Sequence, residues 1–578
     1  MKMQKSQIYL IFSICFIVIL LSITTNIVSI TQARLKEEDQ GINLNTNFLA
    51  YKWDVTEVLS TESTGGSQLP AIAADATGNV YIVWDDNTNY AGSGTDYDIF
   101  YKKWNALTSS WTATEVLSTE STAGSISPAI AVDAKGNVHI AWQDSTDYAG
   151  AGTDQDIFYK KWNAITSTWT ATEVVSTQST SNSQQPAIAV DTAGNVYITW
   201  NDYTDYAGAG TDVDIFYKEW NAATFTWNMT EVVSTESTGD SQQSSLAVDT
   251  TGNVYVAWRD FTDYAGAGTD TDIFFKECKA VSSAWTITEV VSTVSTSSSA
   301  FPSLAVDEAG NVHIVWQDFT DYAGAGTDCD IFYRKLYPSL SLWTSIEIVS
   351  TETTNGAYSP SLSIDSVGNI HVVWFDYTNY AGAGTDSDIF YKRLDSSSSL
   401  WTVTEVVSTE STDSSEYDSL AVDSTGNAYI TWVDLTDYAG AGTDVDIFYK
   451  RFIGPPETPD LAFILPNPTD LSSINLDWND VATASNYYVY RSNAYIWSIN
   501  DLVPYITTSS SNFTDTLPAE GYYFYVVVAE NVAGNSTHSN CQYVSYEVPH
   551  LQEYTIIASL LTAVTVIVIL IFRKHKNK

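Results

Sequence analysis

Positive charge is what this sequence lacks most. Its 578 residues carry 25 lysines and arginines against 69 aspartates and glutamates, a formal charge of −44. Without clustered cations to neutralise phosphates, nucleic-acid binding is excluded. Cysteine is nearly absent: Cys15 lies in an N-terminal apolar run, and Cys278, Cys329 and Cys541 are scattered singly. Neither a disulfide framework nor thiol chemistry is indicated. Histidine is also scarce. His139, His313 and His371 alternate with tyrosine at one repeated position, while His538, His550 and His575 stand apart, so no metal or acid–base set forms. Aromatic residues are plentiful instead, with 19 Trp, 36 Tyr and 21 Phe, and only 16% of residues are charged. Such a chain is too apolar to be a disordered acidic polymer and must fold.

Both ends read as membrane-directed. Lys2 and Lys5 precede an apolar run from Ile8 to Ile23, and Thr31 to Ala33 offers small residues for cleavage. Residues 1–33 are therefore expected to be a signal peptide or an N-terminal anchor, followed by a linker over 34–52. Tyr554 to Phe572 is an uncharged run of spanning length, followed at once by Arg573, Lys574, His575, Lys576 and Lys578. A single transmembrane helix over 554–572 with a cytoplasmic basic tail over 573–578 is expected, which leaves the bulk of the chain outside the cell.

Between these ends the text repeats. Trp53, Trp111, Trp169, Trp227, Trp285, Trp343 and Trp401 recur every 58 residues. Each unit holds four strand signals and no helix: in the unit from Trp111 to Thr168 these are TEVLS, PAIAVD, NVHIAWQD and DIFYKKW. A tight turn, Asp133 to Asn137, joins the second to the third. One small sheet cannot cover its own two apolar faces, but seven arranged radially cover one another, so the units predict a seven-bladed β-propeller over 53–453. Its strand order runs from PAIAVD at the axis to TEV outside. The last DIFY strand has no TEV strand after it, so residues 53–60 are expected to complete the final blade. The second-strand tryptophans (Trp84, Trp142, Trp200, Trp258, Trp316, Trp374 and Trp432) are expected between blades, as core.

The stretch SLAVDSTGNAYITW, Ser419 to Trp432, resembles the repeats of sialidase-like, Asp-box propellers. It departs from the strict box, because two residues separate Asp423 from Gly426 instead of one. The resemblance implies architecture. Sialidases bring three arginines onto a substrate carboxylate, whereas the repeats hold only Arg259, Arg334, Arg393 and Arg451, three of them where sister repeats have lysine. The chain is accordingly expected not to be an enzyme, with an exported sialidase-like glycosidase or a purely structural envelope protein as alternatives.

The period stops at Gly454 to Asp460, a Pro-rich boundary. Residues 454–548, with Trp478, Tyr488, Leu517 and Tyr523 in INLDWNDVATASNYYVYRS and FTDTLPAEGYYFYVVVAENVAGNSTHSN, resemble a fibronectin type III domain. Such a domain implies a spacer. The whole chain is thus all-β apart from its ends.

Each repeat carries one long loop between its second and third blade strands, and the acids concentrate there. The first loop position holds Asp86, Asp144, Asp202, Asp260, Asp318, Asp376 and Asp434. The second holds Asp147, Asp205, Asp263, Asp321 and Asp437, with Asn89 and Asn379 in the other two repeats. The third holds Asp96, Asp154, Asp212, Asp270, Asp328, Asp386 and Asp444, and the fourth holds Asp98, Asp156, Asp214, Asp272, Asp330, Asp388 and Asp446. Oxygen-only ligands among glycines point to Ca²⁺ as the candidate metal. The competing reading is turn chemistry, with the carboxylates accepting backbone N–H bonds. Tyr148 and its counterparts in the same loops offer a sugar platform or a packing staple. No catalytic constellation and no other cofactor stands out. The expected function is cell-surface binding or adhesion by a membrane-anchored propeller that recognises a glycan or a protein.

Overall fold

The structure is a computed structural model that describes residues 52–547, except 443, 457, 482, 483, 501 and 532. The expected signal and transmembrane segments lie outside the described residues. Among the described residues there is no helix, hence none long and apolar enough to cross a membrane.

Seven antiparallel sheets of five strands follow the 58-residue period. In the second, Ser125–Val132 pairs with Val138–Asp144, which pairs with Asp156–Asn163; two short segments, Thr168–Trp169 and Glu173–Val174, complete the outer edge. The second strand is buried along its whole length because both faces of the sheet meet a neighbouring sheet. Its tryptophan is at most 1% exposed in all seven copies, as a core residue must be. The first strands of all seven sheets line one shared cavity, which places them innermost. Each of them contacts the first strand of the next sheet around a full circuit.

The circuit is closed by the strands that precede the first innermost strand. Lys52–Trp53 and Glu57–Val58 pair antiparallel with Asp446–Ile453, the last strand of the seventh sheet. That pairing removes a free edge from the final sheet. An outer girdle repeats the same closure with side chains. Trp111 Nε1 donates to Glu57 of the preceding blade at 2.9 Å, and the series returns to its start where Trp53 Nε1 donates to Glu405 at 2.8 Å. Lys160 Nζ likewise reaches back to the Leu117 carbonyl at 2.9 Å and to Glu120 at 3.2 Å.

After the Pro-rich boundary two further antiparallel sheets pack over one core. Ser473–Asp477 pairs with Asn512–Thr516, and Asn486–Ser492 pairs with Gly521–Asn531 and Ile506–Thr508. Leu476, Trp478, Val489, Tyr525 and Val527 are buried between them. Tyr523 Oη donates to the Ala519 carbonyl at 2.7 Å, a corner bond that fixes the entry to the long strand. Asn531 Nδ2 donates to the Gly454 carbonyl at 2.8 Å, tying this region to the end of the ring.

Candidate functional site

Every innermost strand is broken by a β-bulge near the end from which the long loops spring. In the second blade the register slips between Ile126 and Ala129, and the same slip recurs in all seven. The bulge forces one residue into the left-handed region: Leu69, Ser127, Gln185, Gln243, Phe301, Ser359 and Tyr417, with φ between 46° and 57°. Glycine is the ordinary choice for such a backbone, and a side chain there costs about 1–2 kcal/mol. None of the seven is glycine. They ring the mouth of a central cavity of about 340 Å³.

The mouth breaks the symmetry that the rest of the ring keeps. At the left-handed position the seven repeats present five residue types, whereas Ala91 and its counterparts, also left-handed, are alanine in every copy. The neighbouring second-strand position reads Asp85, Gln143, Asn201, Arg259, Gln317, Phe375 and Val433. One arc is amide-rich. Gln143 Oε1 accepts the Gln185 backbone N–H at 3.0 Å, Asn201 Nδ2 donates to Gln185 Oε1 at 2.8 Å, and Gln243 Oε1 accepts the Phe301 N–H at 3.1 Å. The other arc is aromatic. Tyr358 stacks on Phe375 at 5.5 Å and meets Tyr377 edge-on at 5.9 Å, with Phe319 and Tyr417 at its flanks. Phe301 and Tyr417 are 41% and 49% exposed, unusual for rings that line a cavity and available to a ligand.

Two carboxyls sit at this end without adequate partners. Asp418 occupies a position that is proline in five blades and Ser244 in a sixth. Ser244 Oγ donates to Thr199 Oγ1 of the preceding blade at 3.0 Å. Val373 stands at the equivalent of Thr199 beside Asp418, and both Asp418 oxygens are out of solvent with no partner. Burial pushes this carboxyl well above the usual range. Burial also pushes Asp85 up to about 8, even though its Oδ1 accepts the Ser127 N–H at 3.3 Å.

The predicted loop aspartates divide into distinct roles. Asp144 and its counterparts at the first position are spent structurally: its carboxylate accepts from Ser125 Oγ at 2.6 Å, Trp142 Nε1 at 3.0 Å and the Thr146 N–H at 2.9 Å. Asp147, at the second, is exposed and accepts the Gly152 N–H at 3.3 Å, which is turn chemistry. Asp156, at the fourth, faces Asp144 across the strand pair and bonds Ser176 Oγ at 2.6 Å. Among the described residues no three His, Cys, Asp or Glu side chains gather as a metal-binding group. The loop tyrosines pack on the third strand, Tyr148 against Phe158 at 5.9 Å, so they staple the loop. The repeated histidines are structural too: His371 Nδ1 bonds Tyr391 Oη at 2.7 Å, and burial holds its imidazole below the ordinary value.

Reading the residues in sequence did not single out the bulge positions. The available signal was column-wise: aligned on their tryptophans, the repeats diverge at 68, 69, 85 and 87 and their counterparts, while Trp84 and Asp86 and their counterparts are identical in every copy.

No protein-family model matches the chain, and no curated protein matches it. Among solved structures it aligns with a fungal alcohol oxidase of the AA5 family in complex with copper, at 13% identity over 86% of this chain and 99% of that one, TM-score 0.44. It also aligns with the polysaccharide lyase Uly1 at 11% identity over 72% and 94%, TM-score 0.42. A third is the intramolecular trans-sialidase from Ruminococcus gnavus, at 12% identity over 69% and 97%, TM-score 0.36. The expectation that the chain is not an enzyme is corrected to an open one: the solved structures that align with it include an oxidase, a polysaccharide lyase and a trans-sialidase. At these identities the likeness is one of fold, and no activity is read from it.

Proposed function

We infer that this chain is a membrane-anchored surface protein whose ring recognises a carbohydrate at the channel mouth. The observation that carries this reading is the two-sided mouth: the exposed rings of Phe301 and Tyr417 and the amides of Gln185 and Gln243 line it, with Gln143 and Asn201 bonded behind Gln185. Sugar rings offer an apolar C–H face and a rim of hydroxyls, which such a pair of arcs matches. The change of side chain from blade to blade at the seven left-handed mouth positions supports the reading, since the left-handed Ala91 and its counterparts away from the mouth stay alanine. The Pro-rich boundary and the sandwich, read as a fibronectin type III spacer, would hold the ring away from the bilayer. A glycan array probed with the detergent-solubilised full chain tests this: binding to a defined carbohydrate set is expected, and a blank array across concentrations contradicts it.

Turnover of the bound carbohydrate is the second reading. It is favoured by Asp85, whose carboxyl burial pushes up to about 8, so that it holds its proton at neutral pH, the state a general acid requires. Release of reducing ends from an array-positive glycan separates turnover from binding.

A further inference from the structure

Each blade carries, beside its long loop, a carboxylate that the fold leaves half used. Asp156 is 2% exposed; its Oδ1 takes the Ser176 hydroxyl, while Oδ2 is out of solvent and has no partner. The same oxygen is orphaned in all seven copies, from Asp98 to Asp446. The feature is copied with the repeat to every seam of the ring, and a buried carboxylate oxygen without a donor is strongly disfavoured.

A second carboxylate is held close by. Two residues upstream lies Asp154, and the loop closes on it through Gly152, whose φ is 105°. A Cβ on Gly152 would lie 2.8 Å from Asp154 Oδ1, and the equivalent glycine in every blade shows 2.7–2.8 Å. In Asp270 and Asp328 this second carboxylate also has a buried oxygen without a partner. Further negative charge bears on Asp156 from Asp144 on its own sheet and from Asp202 of the next. Burial, reinforced by these neighbours, raises the buried carboxyl to about 6 in Asp156 and about 7 in Asp214.

A bound proton would satisfy the orphaned oxygen, but the charge of Asp154, which also bears on Asp156, would stay uncompensated; a cation answers both. We propose that each blade binds one divalent cation of the calcium class between its third- and fourth-position aspartates, as Asp154 and Asp156 exemplify. Two side-chain carboxylates per site leave the remaining ligands to loop carbonyls and water, the hard oxygen shell that calcium accepts. With so few charged ligands the affinity falls in the range of weak extracellular sites, about 10⁻⁴ to 10⁻³ M. This inference stands independently of the carbohydrate reading, because the residues lie in the loops and not at the mouth.

The test uses the full chain stripped with a chelator at pH 7.5. Tb³⁺ titration, with luminescence excited through the loop tyrosines, gives the stoichiometry, and Ca²⁺ should displace the signal. Near seven ions per chain are expected, with a melting temperature that rises on adding Ca²⁺. Asp154→Asn should remove one ion without unfolding the ring, and Asp156→Asn should remove one while raising the melting temperature of the stripped protein. Absence of sensitised luminescence overturns the proposal, as does an unchanged stoichiometry in Asp154→Asn. A melting temperature that rises on acidification to pH 5 but ignores Ca²⁺ at pH 7.5 also overturns it and assigns the orphaned oxygens to protons.

Discussion

The outer girdle and the channel mouth are built from the same seven repeats, yet they behave in opposite ways. In the girdle each polar group meets the same partner in nearly every copy: Trp Nε1 on glutamate, and lysine or Arg334 on a backbone carbonyl. At the mouth the equivalent positions carry leucine, serine, glutamine, phenylalanine or tyrosine on a backbone that favours glycine, and Asp418 has no partner at all. Positions that hold a ring together are free to be identical, because every seam has the same geometry. Positions that meet one ligand on the axis cannot all be alike, because the ligand lacks sevenfold symmetry.

This contrast can be broken by mutation. Deleting residues 52–60 removes the closing strands, and it should depress the melting temperature more than any single substitution. A ring that melted as the parent does would show that closure contributes nothing. Trp142→Ala empties a fully buried site and should cost about 3–5 kcal/mol in a denaturant titration.

At the mouth the sign should reverse. Asp418→Pro restores the residue of five sister blades and should stabilise by about 1–3 kcal/mol at pH 8. The sign follows from linkage. A carboxyl raised in the folded state contributes its full stability below its unfolded value near 4 and loses it as pH rises through the folded value. The advantage of the variant should therefore shrink towards pH 4, and a constant advantage across that range would refute the assignment. Phe301→Gly should relax the left-handed backbone and gain about 1 kcal/mol while weakening carbohydrate binding. Leu107→Ser, at a 94% exposed outer turn, should change stability by less than about 0.5 kcal/mol and leave binding intact.

Much of the scaffold was legible because its determinants are local and periodic. The nearly continuous apolar run in VHIAW marks a strand buried on both faces, and the phase of the repeat singles out Trp53 to Ser60 as the strand without a sheet of its own. The mouth was harder to read, since a bulge is a backbone event: nothing in Ser127-Pro128 or Phe301-Pro302 by itself announces a left-handed residue. The loop aspartates were ambiguous for another reason. Asp144 and Asp156 have the same chemistry and similar spacing to glycine, and only packing distinguishes the fully bonded carboxylate from the half-bonded one.

The central claim, that recognition resides where the repeats diverge, is tested most directly by measuring equilibrium binding of an array-positive carbohydrate to the Phe301→Ala, Tyr417→Ala double variant. Loss of at least tenfold in affinity with an unchanged melting temperature is predicted. Retained affinity in a variant that remains folded would contradict it.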